Sequence, residues 1–251
     1  MSGFEILPAI DLLGGRCVRL TQGRYEDATV YDDDPGKVAG GFVASGVRRI
    51  HVVDLDGAKA GRPVNGAAVR AIAEAAGEVP VQMGGGVRDR AGLDAAFEAG
   101  VERVILGTVA LRDPALVVEA ARAFPGRIAV GLDARDGRVA VEGWLETSEA
   151  LAVDVARRFE DAGVAALVYT DIARDGTLEG PNFDATGELA DAVGIPVILS
   201  GGVSSEDDLA RAARLAPRGV CGAIVGRALY TGRVDLRSAL SRVAEEVAAC
   251  S

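Results

Sequence analysis

The second half of this chain repeats the first. Asp11-Leu-Leu-Gly-Gly15-Arg16 returns as Asp133-Ala-Arg-Asp-Gly137-Arg138, 122 residues on. Gly46-Val47 ahead of Asp54 returns as Gly163-Val164 ahead of Asp171, 117 residues on. The stretch Val79-Pro80-Val81-Gln82-Met83-Gly84-Gly85-Gly86-Val87 returns as Ile195-Pro196-Val197-Ile198-Leu199-Ser200-Gly201-Gly202-Val203 after 116 residues. Gly100-Val101 and Gly107 return as Gly219-Val220 and Gly226 after 119. A repeat of this length is one multi-element unit used twice, each copy burying its apolar surface against the other.

Eight short apolar runs rich in Val and Ile fill that frame: Phe4–Ile10, Arg49–Leu55, Val79–Met83, Arg103–Leu106, Ile128–Leu132, Ala166–Ile172, Pro196–Leu199 and Cys221–Val225. Continuous runs of this length suit strands buried on both faces, as in parallel sheets. Amphipathic segments lie between them. Asp34-Pro35 and Asp113-Pro114 place a cap ahead of a proline at the first helical position, and Ser204-Ser205-Glu206-Asp207 opens another helix. Residues 148–162 and 234–249 carry helical spacing. The alternation predicts a (β/α)8 TIM barrel with two-fold internal symmetry, in preference to a doubly wound open sheet. We expect one domain spanning 1–251, with half-repeats of roughly 1–124 and 125–251.

Composition removes several function classes. No stretch approaches the ~20 consecutive apolar residues of a membrane span. Met-Ser-Gly-Phe-Glu has no basic region before an apolar run, so no signal peptide is expected, and the setting expected is cytoplasmic. A net charge of −10, from 27 basic and 37 acidic residues, argues against a nucleic-acid partner. Cys17, Cys221 and Cys250 have no metal or disulfide-framework spacing and are read as packing, and the single histidine, His51, excludes a multi-histidine metal site. His51 sits among apolar neighbours and is read as structural.

Strand-to-helix links are the long ones, notably 12–33, 134–146 and 173–182, and barrel active sites lie on such loops at the C-terminal ends of the strands. Gly84, Gly85 and Gly86, with Gly107 and Thr108, end the third and fourth strands. Ser200, Gly201 and Gly202, with Gly226 and Arg227, end the seventh and eighth. Residues without Cβ let backbone N–H groups approach an anion at a helix N-terminus. Two such cradles across one mouth imply an elongated ligand with a phosphate at each end. Asp11 and Asp133, repeat partners at strand ends, are placed to divide acid and base roles. Asp54 and Asp171 form a second pair that is as well explained by capping. Thr170 and Asp175 suit contacts to hydroxyls, and Gly176 and Thr177 suit a phosphate. Trp144 suits stacking on a heterocycle, and Arg16, Arg19 and Arg24 in the first loop suit either a phosphate or solvent.

These residues, in the motifs Pro8-Ala9-Ile10-Asp11-Leu12, His51-Val-Val-Asp54, Gly84-Gly85-Gly86-Val87-Arg88, Gly131-Leu132-Asp133, Gly143-Trp144, Thr170-Asp171-Ile172-Ala-Arg-Asp175-Gly176-Thr177, Ser200-Gly201-Gly202-Val203 and Ile224-Val225-Gly226-Arg227-Ala228, resemble the phosphoribosylformimino-5-aminoimidazole carboxamide ribotide isomerases of histidine biosynthesis. The likeness runs through nearly the whole chain. It implies a cofactor-free Amadori rearrangement of an aminoaldose carrying two phosphates, catalysed by a monomer. Asp11 would be the proton acceptor and Asp133 the proton donor. Arg19, Trp144, Thr170 and Asp175 would contact substrate, with Trp144 against the imidazole carboxamide. Some relatives also isomerise phosphoribosylanthranilate. They place an arginine two residues before the tryptophan, where this chain has Glu142. The single-substrate enzyme is therefore expected, ahead of the sister cyclase or a non-catalytic sugar-phosphate barrel.

Overall fold

The structure, a computed structural model, describes residues 3–249. Twelve strands in that range form one sheet: β1 (Glu5–Leu13), β2 (Arg16–Thr21), β3 (Arg24–Asp32), β4 (Ile50–Asp54), β5 (Val81–Gly84), β6 (Arg103–Leu106), β7 (Ile128–Arg135), β8 (Arg138–Val141), β9 (Glu146–Leu151), β10 (Ala166–Asp171), β11 (Val197–Ser200) and β12 (Val220–Val225). Eight of them pair in parallel in the order β1, β4, β5, β6, β7, β10, β11, β12, and β12 pairs back onto β1 to close the ring. With helices between successive barrel strands, this is the expected (β/α)8 barrel, and all eight apolar runs became its strands.

The repeat is visible in the strand order. β1–β6 and β7–β12 have the same plan, one long strand, a hairpin folded back on it, then three short barrel strands. The links expected as loops at 12–33 and 134–146 are therefore largely antiparallel sheet. Their turns carry the reason. Gly14-Gly15 (φ 57° and 77°) and Asp136-Gly137 (φ 49° and 76°) are left-handed at both central positions, the geometry of a two-residue hairpin turn. The helix expected over 148–162 is also shorter. Glu146–Leu151 is taken into β9, leaving a helix over Ala152–Arg157. The expected helix starts hold. Asp34, Asp113 and Ser205 each accept a backbone N–H as N-caps, and Ser205 forms a capping box with Asp208.

Apolar residues separate into two clusters. The large one packs helices on the outside of the barrel. The small one, Leu7, Ala9, Ile105, Ala129, Ala166, Val168, Ile198 and Ile224, fills the barrel interior. Cys17 is buried and Cys221 half-buried, as packing requires, while Cys250 lies outside the described residues. No helix among the described residues is long and apolar enough to cross a membrane. Phe159, fully buried in the outer shell, tests that packing. Phe159→Ala is expected to remove about 3–5 kcal/mol of stability, read as a lower urea midpoint at unchanged slope.

Candidate functional site

Side chains alternate along a strand, so the residues that fill the barrel interior also predict which ones line its mouth. Leu7 and Ala9 on β1 lead to Asp11, and Ala129 and Gly131 on β7 lead to Asp133. Val168 on β10 leads to Thr170, Ile105 on β6 to Gly107, Ile198 on β11 to Ser200, and Ile224 on β12 to Gly226. One cavity at the C-terminal ends of the strands is lined by all of these mouth residues. It also takes in Arg19, Gly84, Gly85, Gly86, Thr108, Trp144, Asp175, Gly176, Gly201, Gly202 and Arg227. Of the residues singled out in the sequence, Arg16, Arg24, Asp54 and Asp171 stay outside the lining, and so does Thr177. Its hydroxyl and its N–H both donate to the Arg174 carbonyl, closing a local turn (2.8 and 3.1 Å). Arg16 and Arg24 are exposed, and Arg24 pairs with Asp27.

Asp11 and Asp133 occupy unlike surroundings. The β1–β2 turn folds Arg19 back onto Asp11, which it meets at 2.5 Å. Arg19 also donates to the Ala9 carbonyl and lies over the Tyr230 ring, 5.5 Å from its centroid. Burial works against the Arg19 charge, but Asp11, Tyr230 and Asp175 more than offset it and raise its pKa. Asp133 has no such cation. It accepts from the Trp144 indole N–H at 2.8 Å and from Thr170, and burial, only partly opposed by these bonds, raises its pKa. The 122-residue offset explains the contrast, because it places apolar Val141 where the first half has Arg19. Asp175 stands between. Burial, Asp11 and Asp133 push its pKa up to about 7 against the opposing charge of Arg19.

Asp54 and Asp171 are structural. Asp54 accepts from the N–H groups of Gly57, Val64 and Asn65 and from the Asn65 amide. Asp171 accepts from Ala173 N–H and the Asn182 amide. The pairs Asp54–Asn65 and Asp171–Asn182 share one spacing of 11 residues, a feature of the repeat that the sequence displays and that only contacts make legible. The backbone carbonyls of the same two aspartates impose the glycines. A Cβ at Gly85 (φ 106°) would sit 2.2 Å from the Asp54 carbonyl oxygen, and one at Gly201 (φ 90°) would sit 2.8 Å from that of Asp171. Both backbones are thus pressed to the cavity wall. The helices that follow Gly107 and Gly226 start without a side-chain cap, leaving first-turn N–H groups for another acceptor.

Two residues have partners that the sequence did not show. Trp144 lines the cavity, and its ring N–H is taken by Asp133. Glu142, Gly143 and Trp144 are all left-handed (φ 56°, 67° and 71°), a costly backbone for two side-chain-bearing residues. The turn brings Trp144 against the tip of the other hairpin, where a Cβ on Gly23 would lie 2.4 Å from the indole. His51, read as a structural residue without a partner, lines the cavity and is hydrogen-bonded to Gln82 at 2.9 Å. Sequence spacing gave no sign of that contact.

A closed (β/α)8 barrel with two carboxylates and glycine-lined walls around one mouth has the build of a barrel enzyme, with its cavity at the C-terminal ends of the strands. Residues 5–235 match the family described as histidine biosynthesis protein. A protein of Rhodospirillum rubrum is 60% identical over 240 residues, covering 96% of this chain and 99% of its own. Proteins of Hahella chejuensis (56% over 234 residues, 93% and 96% covered) and Gloeothece citriformis (56% over 241 residues, 96% and 93% covered) are similarly close. All three are named 1-(5-phosphoribosyl)-5-((5-phosphoribosylamino)methylideneamino)imidazole-4-carboxamide isomerase. The chain belongs to the histidine-biosynthesis protein family.

Asp175 gives this site a pH signature. Folded, it keeps its proton up to about pH 7, whereas an ordinary aspartate carboxyl titrates at 3.8. Between these values the folded state binds more protons, so this group's contribution to stability is lost as pH rises through about 7. Asp175→Asn removes that loss. The variant's melting temperature relative to wild type is expected to climb as pH rises through the window, and a pH-independent difference would contradict the assignment.

Proposed function

We propose that the chain isomerises the bisphosphorylated aminoaldose of histidine biosynthesis to its aminoketose, using Asp133 as acid and Asp11 as base. The carrying observation is the unlike treatment of two repeat-related carboxylates in one cavity. An Amadori rearrangement needs a donor for the ring oxygen as the sugar opens, and then a base for the C2 proton. Asp133, half-buried without a cation and with its pKa raised by desolvation, fits the donor. Asp11, ion-paired with Arg19, fits the carboxylate acceptor. Thr170 and Asp175 would orient the sugar between them. The reaction moves protons within one molecule, so the side chains suffice and no cofactor is called for.

The glycine-lined walls support the two-phosphate reading. Gly84, Gly85, Gly86, Gly107 and Thr108 line one wall, and Gly176, Ser200, Gly201, Gly202, Gly226 and Arg227 line the other. Arg227 is already engaged, donating to the Gly176 carbonyl at 2.5 Å and to Thr21. It would serve a phosphate by fixing the loop as well as by charge. The continuous sheet through both hairpins and the ring supports reading 1–124 and 125–251 as halves of one domain. A cytoplasmic monomer without nucleic-acid or membrane partners completes the proposal.

The wider activity on phosphoribosylanthranilate finds no support. Glu142 stands where that reading wants an arginine, and it is engaged with Arg112 at 2.9 Å. Purified protein is expected to convert the bisphosphorylated aminoaldose and to leave phosphoribosylanthranilate essentially unchanged. Asp11→Asn and Asp133→Asn are each expected to lower kcat by about 10²–10⁴-fold while calorimetry still shows bisphosphate binding. Turnover near wild type in either variant would remove that residue from its role.

A further inference from the structure

A line of buried polar groups leads away from the cavity through the barrel interior. His51 on β4, Gln82 on β5 and Arg103 on β6 are neighbours in the sheet register and all buried. Arg103 donates to the Gln82 side-chain oxygen through Nε at 3.0 Å and Nη2 at 2.5 Å. A guanidinium has no acceptor, so this contact fixes which end of the Gln82 amide is oxygen. The NH₂ end then faces His51 and donates to Nδ1 at 2.9 Å. Nδ1 must therefore be unprotonated, and in a neutral ring the proton sits on Nε2. Nε2 has no partner among the described residues and is not sealed in the protein, so it opens on the cavity that His51 lines.

We propose that Arg103 and Gln82 are positioning residues that hold His51 as the Nε2–H tautomer, presenting a neutral hydrogen-bond donor to an oxygen of the bound substrate. The proposal rests on the reading of this cavity as the active site. Burial, reinforced by the positive charges of Arg19 and Arg103, lowers the His51 pKa to about 3. The ring thus gives a directed N–H without adding a charge between Asp11 and Asp133. A plain core histidine would need neither a fixed tautomer nor an open nitrogen.

His51 is the only histidine in the chain, so long-range proton–nitrogen NMR of untagged protein reads its tautomer without assignment. The expected spectrum shows Nε2 protonated and Nδ1 bare throughout the folded range on the acid side of neutrality. An Nδ1–H ring or an imidazolium near pH 6.5, the ordinary histidine value, would overturn the proposal whatever the activity. In Gln82→Glu both carboxylate oxygens accept, so the ring must donate from Nδ1. The resonances are expected to exchange roles or the ring to become charged, with kcat/KM down about tenfold, the worth of one good hydrogen bond. Arg103→Met frees the amide to flip and is expected to give mixed tautomers, whereas Arg103→Lys, retaining a donor, restores one. Unchanged tautomers in folded Gln82→Glu and Arg103→Met would sink the relay. A correct tautomer in a protein with no isomerase activity would instead count against the active-site reading.

Discussion

The pairing of β12 with β1 is the contact on which the rest depends. It leaves an eight-strand ring with no free edge and fixes which alternate side chains point inward. The interior of such a ring holds little more than side chains. Here the filling is small, with Ala9, Ala129 and Ala166 among its members. Each inward-facing file therefore ends in a group at the mouth whose position is set several residues below it. Asp11, Asp133, Thr170 and Ser200 owe their convergence to sheet register rather than to loop packing, which holds them more rigidly than a loop would.

Duplication supplied one scaffold twice, and single substitutions made its halves unlike. The Asp–Asn pairs below the mouth kept the same structural task on both sides. The hairpins did not. In the first, an arginine lies on the carboxylate, and in the second the matching position is a valine and the carboxyl group is met by a neutral indole N–H instead. A cation against one carboxyl and burial against the other separate the proton affinities of two groups with a common ancestry in the repeat. Asp175, placed between them, feels both.

The strands and capped helix starts were legible because burial on both faces writes itself as unbroken Val/Ile runs, and because Asp-Pro is a local signal. The hairpins were not read. β3 and β9 rise off the core, with mostly exposed residues that show no clean alternation. Their turns were nevertheless written in Gly14-Gly15 and Asp136-Gly137. The mouth residues were legible through the repeat. The partners of His51 were not, since Gln82 lies 31 positions away and nothing local couples the two. The partner of Thr177 was missed for the opposite reason, because a hydroxyl in a turn bonds the carbonyl nearest to it in the chain.

The meeting of Gly23 with Trp144 puts the tips of both hairpins in contact above the opening. The second tip is also joined to the acid, since the same indole bonds Asp133. Any displacement of the second tip that carries the indole with it therefore also breaks the bond to the Asp133 carboxyl group. One side chain thus serves both the packing of the two tips and the hydrogen bonding of a mouth carboxyl group.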